Sequence, residues 1–223
     1  MAIKRESGGA TYVVSFVGSG NCGLAYYTSK TFARAGFPTL VIDNSFDQDM
    51  FDLVRKPEGA DEAEARNILF VHDKAWSEDA FKEVSFVVFW HGMNIDHEIM
   101  EQSDFVVVLS DYNKSHVRQL SEALNGFEGK VHLVLVNRCT GKIPDKVIAE
   151  DLGIGVEDVL EEIGHQVIED DTNNSVSFQS LQYNGTQKLK TFTSTYRDVV
   201  ADIAGVFLKD KVADYKKLIN TVE

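Results

Sequence analysis

Apolar residues fall along this chain in continuous runs separated by stretches of helical periodicity. The runs cover residues 12–17, 38–43, 84–92, 104–110 and 131–138. They are rich in Val, Leu and Phe and alternate little, the pattern of strands buried on both faces of a parallel sheet. Residues 165–169 read as a last strand. Helical segments are expected over 24–36 and near 48–55, 77–83, 95–102, 112–125 and 143–151. Strand and helix alternate, so the fold class is α/β, with a mainly parallel central sheet flanked by helices. Two polar stretches read as connections: an acidic, solvated loop over 57–64 and a long loop over 170–187.

Beyond that loop, Phe192, Tyr196, Val199, Val200, Ile203 and Phe207 fall at helical spacing and are expected to close the core. From Leu208 the apolar steps become four, three, four and three, through Val212, Tyr215, Ile219 and Val222. This is a short seam of coiled-coil type, with Lys209, Lys211, Lys216 and Lys217 beside it. The expected division is a flexible N-terminus over 1–10, a domain over 11–208 and a helical extension over 209–223.

The length, 223 residues, suits one well-cored α/β domain and is too short for two. The 22 Lys and Arg face 35 Asp and Glu, a net charge of −13. That opposes general nucleic-acid binding, which rests on phosphate neutralisation by basic side chains. The two cysteines, Cys22 and Cys139, make no disulfide framework. No run of about 18 apolar residues and no signal peptide over 1–10 is present, so a soluble cytoplasmic protein is expected.

The candidate chemistry centres on residues 18–25, Gly18-Ser19-Gly20-Asn21-Cys22-Gly23-Leu24-Ala25, which link the first strand to the first helix. A phosphate-binding loop has Gly, four residues, Gly, then Lys and Ser or Thr. Gly18 and Gly23 keep that spacing, but Leu24 stands at the lysine and Ala25 at the hydroxyl. Backbone N–H groups and the helix dipole still favour an anion there, so weak ATP or phosphate binding is conceivable. Without the lysine and the Mg²⁺-holding hydroxyl, little would stabilise a transferring phosphoryl group. The same glycines also serve a bare tight turn. Cys22 lies in this loop and becomes reactive if the helix dipole lowers its pKa; otherwise it is a small residue in a turn.

The order of these signals resembles the MinD/ParA branch of P-loop ATPases, the deviant Walker group of the SIMIBI class, over residues 11–208. The resemblance implies a P-loop NTPase-like three-layer sandwich. Laid on the family's first loop, Ser19 falls on the signature lysine, Leu24 on the second lysine and Ala25 on the threonine. The family's next strand ends in Asp-x-Asp, whose first Asp serves the catalytic water. Asp43 matches it, and Ser45 replaces the second. Trp90 stands at the Walker B Asp. Asn137, followed by Arg138, matches the family's base-reading Asn. With both lysines, the hydroxyl and the Walker B Asp absent, the resemblance implies a pseudo-ATPase without resident cofactor. It would act as a scaffold or adaptor in localising or assembling a bacterial machine for partitioning, secretion, conjugation or a pilus.

Other readings stay open. One is a switch that binds ATP weakly without turnover through 18–23 and Asn137. A second is an active ATPase that recruits Lys30 or Lys142. A third is an enzyme with Asp43 and His91 as acid and base in one crevice. His91 and His97, with Asp96 near them, lack further ligands at zinc spacing, so no metal site is expected. A protein partner of unknown identity is expected. A homodimer, if formed, would be independent of nucleotide, with Tyr26, Tyr27 or the 208–222 seam as candidate surfaces. MinD proteins end in a membrane-binding amphipathic helix, but 208–222 is short and poor in aromatics for peripheral membrane contact.

Overall fold

The computed structural model describes residues 3–4, 10–56, 59–72, 81–138, 143–155 and 165–223. The strands are β1 (Ile3–Lys4), β2 (Ala10–Gly18), β3 (Thr39–Asp43), β4 (Glu62–Ala65), β5 (Ile68–His72), β6 (Phe86–Gly92), β7 (Phe105–Ser110), β8 (His132–Arg138) and β9 (His165–Glu169). The α-helices are α1 (Gly23–Arg34), α2 (His97–Gln102), α3 (Lys114–Leu124), α4 (Asp145–Asp151), α5 (Thr172–Asn184), α6 (Ser194–Leu208) and α7 (Tyr215–Ile219). The sheet order is β4-β5-β3-β6-β2-β7-β8-β9, with β1 paired to the start of β2. Pairing is parallel from β5 to β9 and antiparallel for β4 on β5 and β1 on β2. All six expected strands form.

The sheet is covered on both faces, which is why its strands read as unbroken apolar runs. Alternation along β2 sends Val14 and Phe16 to one face and Val13 and Val17 to the other. The first face packs against α1, α5, α6 and α7 around Phe32, Phe86, Trp90 and Phe207. There Phe32 stacks flat on Phe86 at 3.9 Å between centroids. The second face carries two clusters, one under α3 and α4 and one reaching α2.

The structure corrects several expectations. Residues 172–184 are helix α5, where a polar loop is expected. Its apolar residues make no stripe: Leu181 is buried, while Val176 and Tyr183 are exposed. Only its ends announce it. Asp171 accepts the Asn173 N–H at 2.7 Å, and left-handed Gly185 closes the helix by donating to Leu181 O at 2.8 Å.

The acidic stretch 57–64 ends in a strand, since β4 pairs with β5, itself unexpected, across a turn in which Arg66 and Asn67 have φ +37° and +46°. Its exposed Glu62 and Glu64 charge the sheet's edge, while Ala63 turns inward. The helix near 48–55 shrinks to a 3₁₀ turn at Phe51–Leu53. The 208–222 seam is not a continuous helix: α6 ends at Leu208 and Asp214 takes φ +58°. Leu208, Ile219 and Val222 are buried on the chain's own core. Residues 77–80 of an expected helix and residues 57–58 lie outside the described residues. No helix among the described residues is long and apolar enough to cross a membrane.

Candidate functional site

The 18–25 loop lies at the C-terminal edge of the parallel strands, where open α/β sheets hold ligands. Two of its glycines are dictated by the fold. Gly18 has φ +122°, and a Cβ there would collide with the Leu109 carbonyl of β7. At Gly23 a Cβ would come within 2.5 Å of the Tyr196 hydroxyl and 2.7 Å of Asn21 Oδ1. Gly20 differs, since its nearest neighbour would be a Val136 methyl at 3.6 Å. Ser19 is tied to β7: its N–H donates to Leu109 O at 2.9 Å, and its Oγ accepts the Asp111 N–H at 3.2 Å. Asn21 Oδ1 accepts the Gly23 N–H at 3.0 Å, a donor that an anion would otherwise use. Leu24 and Ala25 are buried in the core.

Beside the loop, the ends of β3 and β6 form a closed polar network. Asp43 is 1% exposed and both its oxygens are engaged. Oδ1 accepts the Ser45 N–H at 2.9 Å and the Ser45 hydroxyl at 2.6 Å. Oδ2 accepts the Met50 and Phe51 N–H groups at 2.9 and 2.8 Å. Burial raises the Asp43 pKa, and the bonds from Ser45 and Phe51 work against that rise. Trp90, 1% exposed, donates from Nε1 to Asp49 Oδ1 at 2.6 Å. The Ser45 hydroxyl also lies 3.2 Å from that oxygen. Cys22 is buried against the same carboxylates. Burial first, then the charge of Asp49, pushes its thiol well above the ordinary range. The helix dipole therefore does not lower the Cys22 pKa, and of its two readings the buried residue fits that of a small side chain in a tight turn. Asp49 ties the network together and carries no sequence signal, being one Asp in a short polar loop.

Asp43 and His91 do not share a crevice. Asp43 pairs in register with Trp90, so the next residue, His91, points to the opposite face. There it stacks on Phe89 at 5.6 Å, with Nε2 3.3 Å from Ser15 Oγ. Burial lowers its pKa to about 4. His97 has Nε2 2.7 Å from Ala123 O.

A cavity of about 270 Å³ opens beside the loop, lined by Asn21, Leu24, Asn137, Asn174, Phe178 and Tyr196 among others. Asn137 reaches it through a left-handed φ of +56° that breaks the β8–β9 register. Arg138 does not line it and sits 3.6 Å from Asp145. Two buried polar atoms of this lining, Tyr196 Oη and Asn174 Nδ2, have no hydrogen-bond partner among the described residues. Lys30 does not approach the loop but lies over the Tyr26 ring at 5.3 Å. Lys142 and Cys139 lie outside the described residues. Tyr26 and Tyr27 are 2% and 0% exposed, which removes them as dimer surfaces.

Together, the sheet order and the glycine loop define a P-loop NTPase-like α/β sandwich of MinD/ParA type. The structure is similar to a ParA family ATPase from Chlorobium tepidum, with TM-score 0.61 and 17% identity, over 87% of this chain and 97% of that one. It is similar to MinD in the MinC:MinD complex of Aquifex aeolicus, with TM-score 0.60 and 9% identity, over 91% and 98% of the two chains. The McdA–ATP complex of Cyanothece gives TM-score 0.54 and 12% identity, over 93% and 99%. At these identities the likeness is one of fold. No protein-family model matches the sequence, and no curated protein matches it.

Proposed function

We propose that this chain is a MinD/ParA-like pseudo-ATPase that serves as a non-catalytic scaffold or adaptor in localising or assembling a bacterial machine. The observation that carries the reading is the network Trp90–Asp49–Ser45–Asp43. Where an ATPase needs free carboxylate oxygens for metal and water, both Asp43 oxygens are spent on the backbone and on Ser45, and an indole fills the neighbouring strand end. No lysine stands in the loop to stabilise transferring charge, and loss of one preorganised stabiliser typically costs about 10²–10³ in rate. A partner would be a protein, as MinC is for Aquifex MinD. Phe46, 78% exposed on the loop after β3, offers it an apolar contact next to the site.

The test is steady-state phosphate release, with calorimetry for ATP and Mg²⁺. No turnover above background is expected. Leu24→Lys with Ala25→Thr is expected to raise nucleotide affinity without turnover, since Trp90 and Ser45 remain. Phosphate release that disappears in Asp43→Ala would overturn the proposal. Oligomeric state, read by light scattering, is expected to be the same with and without ATP, because Ser19 is bound to its own β7 and carries no charge to a second subunit.

A second reading, weak nucleotide binding without turnover, draws support from the unpartnered Tyr196 and Asn174 atoms in the cavity that Asn137 lines. Measurable ATP binding without hydrolysis, lost in Asn137→Ala, would favour it.

A further inference from the structure

The other end of α1 holds a second cavity, of about 400 Å³, at the opposite side of the molecule from the nucleotide-type site. Lys30, seven residues beyond Gly23 and so about 10 Å along the helix, is half-buried in it. Arg34, in the last turn of α1, lines the same cavity, and so does Arg66 from the β4–β5 turn. None of these cations makes a salt bridge among the described residues. Arg34 Nε donates to Thr221 Oγ1 at 3.3 Å, and Lys30 lies over the Tyr26 ring and within the field of Glu223. The one carboxylate of the lining is Glu223, whose oxygen is 2.9 Å from Lys188 Nζ, outside the lining. Lys188, Arg66 and Arg34 together hold the Glu223 carboxyl below its usual range.

A simpler account covers part of this. Arg34 complements the negative end of the helix dipole, and a lysine stem packs well on apolar surface. It leaves Arg66, which a separate element brings to the same cavity from a turn with φ +37°. In a chain of net charge −13, three cations gathered around one cavity share a single acidic side chain, Glu223, which is itself paired with Lys188. Burial first, then Arg66, lowers the Lys30 pKa, and the Glu223 charge only partly opposes that shift.

We propose that this cavity binds a small multivalent phosphate, with Lys30, Arg34 and Arg66 as its contacts and Glu223 as the resident competitor that the ligand displaces. Two guanidinium forks and an ammonium match tetrahedral phosphate oxygens better than a single carboxylate. The volume lies in the range of small-molecule sites. Glu223, leaning on Lys188 at the rim, gives the site an internal anion of low charge that a dianion outcompetes.

The experiment is calorimetric titration of the full chain with pyrophosphate at low ionic strength. The wild type is expected to bind weakly and salt-dependently. Glu223→Gln is expected to tighten binding about threefold or more, and Arg34→Gln with Arg66→Gln to weaken it about tenfold or more, with an unchanged thermal midpoint. Gly20→Asp places a carboxylate in the 18–25 loop and is expected to leave this binding intact. Binding that Gly20→Asp abolishes and the double arginine variant keeps would overturn the proposal by placing the phosphate at the loop. So would absence of any pyrophosphate heat with Glu223→Gln.

Discussion

The two ends of α1 present opposite chemistry. At the N-terminal end, where the helix dipole favours anions, the chain has already supplied partners: Asn21 holds the Gly23 N–H, and the next side chains are the buried Leu24 and Ala25. At the C-terminal end Lys30 and Arg34 meet Arg66 around an open cavity, with one carboxylate among them. The N-terminal end keeps the geometry of a phosphate site without its charge, and the other end has the charge without the motif. Backbone geometry here follows from packing. Gly18 and Gly23 are required by Leu109 and Tyr196 whether or not a phosphate ever docks. A glycine loop is therefore evidence of fold first and of ligand second.

If the loop end is sealed by its own side chains, stability depends on the seal far more than on the cations. Trp90→Ala leaves a large cavity and takes the indole donor from Asp49, and is expected to lower unfolding free energy by about 3–5 kcal/mol. Arg66→Ala, an exposed substitution at the other end, is expected to change it by no more than about 0.5 kcal/mol. Urea unfolding of both variants checks this. Similar losses would show that the far cavity is structural and not a site.

Acid sensitivity should also concentrate at the loop edge. Burial lowers His91 from 6.5 to about 4, so the unfolded chain takes up its proton first. The stabilisation from neutral His91 is complete above pH 6.5 and is lost as pH falls through about 4. At about 1.4 kcal/mol per pKa unit the full span is on the order of 3 kcal/mol. His91→Gln is expected to flatten the dependence of the urea midpoint between those pH values. An unchanged slope would mean that another group governs it.

Much of this contrast is legible in the sequence, and the limits have physical causes. The strands announce themselves because both faces are buried, and the loop because its glycines have fixed spacing. Ser19, Leu24, Ala25, Ser45 and Trp90 are read directly from the sequence at the positions that the resemblance assigns to the motif. Helix α5 is not legible, because it buries little more than Leu181 and Ser177 and so shows no periodicity. The 208–222 seam misleads because its spacing is helical while Asp214 breaks the helix, and the apolar positions fold back on the core. Asp43 and His91 both end strands of the sheet and so read as facing one crevice, but a one-residue register offset places them on opposite faces. The cationic cavity is invisible in sequence, since Lys30, Arg34, Arg66 and Glu223 meet only through the fold.

The finest test separates the glycines of the loop itself. Gly23 is packed against Tyr196 and Asn21, with a Cβ contact of 2.5 Å to a buried hydroxyl. Gly23→Ala is expected to cost about 1–3 kcal/mol by overpacking. Gly20 has no left-handed φ, and its Cβ would meet only Val136 and Leu109 side chains at 3.6 Å or more. Gly20→Ala is then expected to shift stability by less than about 0.5 kcal/mol, with a small gain from a less flexible unfolded chain. If Gly20 is retained for ligand approach, the alanine variant will be as stable as wild type and will lose whatever ATP binding the wild type has. If it serves only the turn, neither stability nor binding will change. Thermal unfolding with and without ATP distinguishes the outcomes, and an ATP-dependent stabilisation that vanishes in Gly20→Ala alone would restore the loop end of α1 as a working anion site.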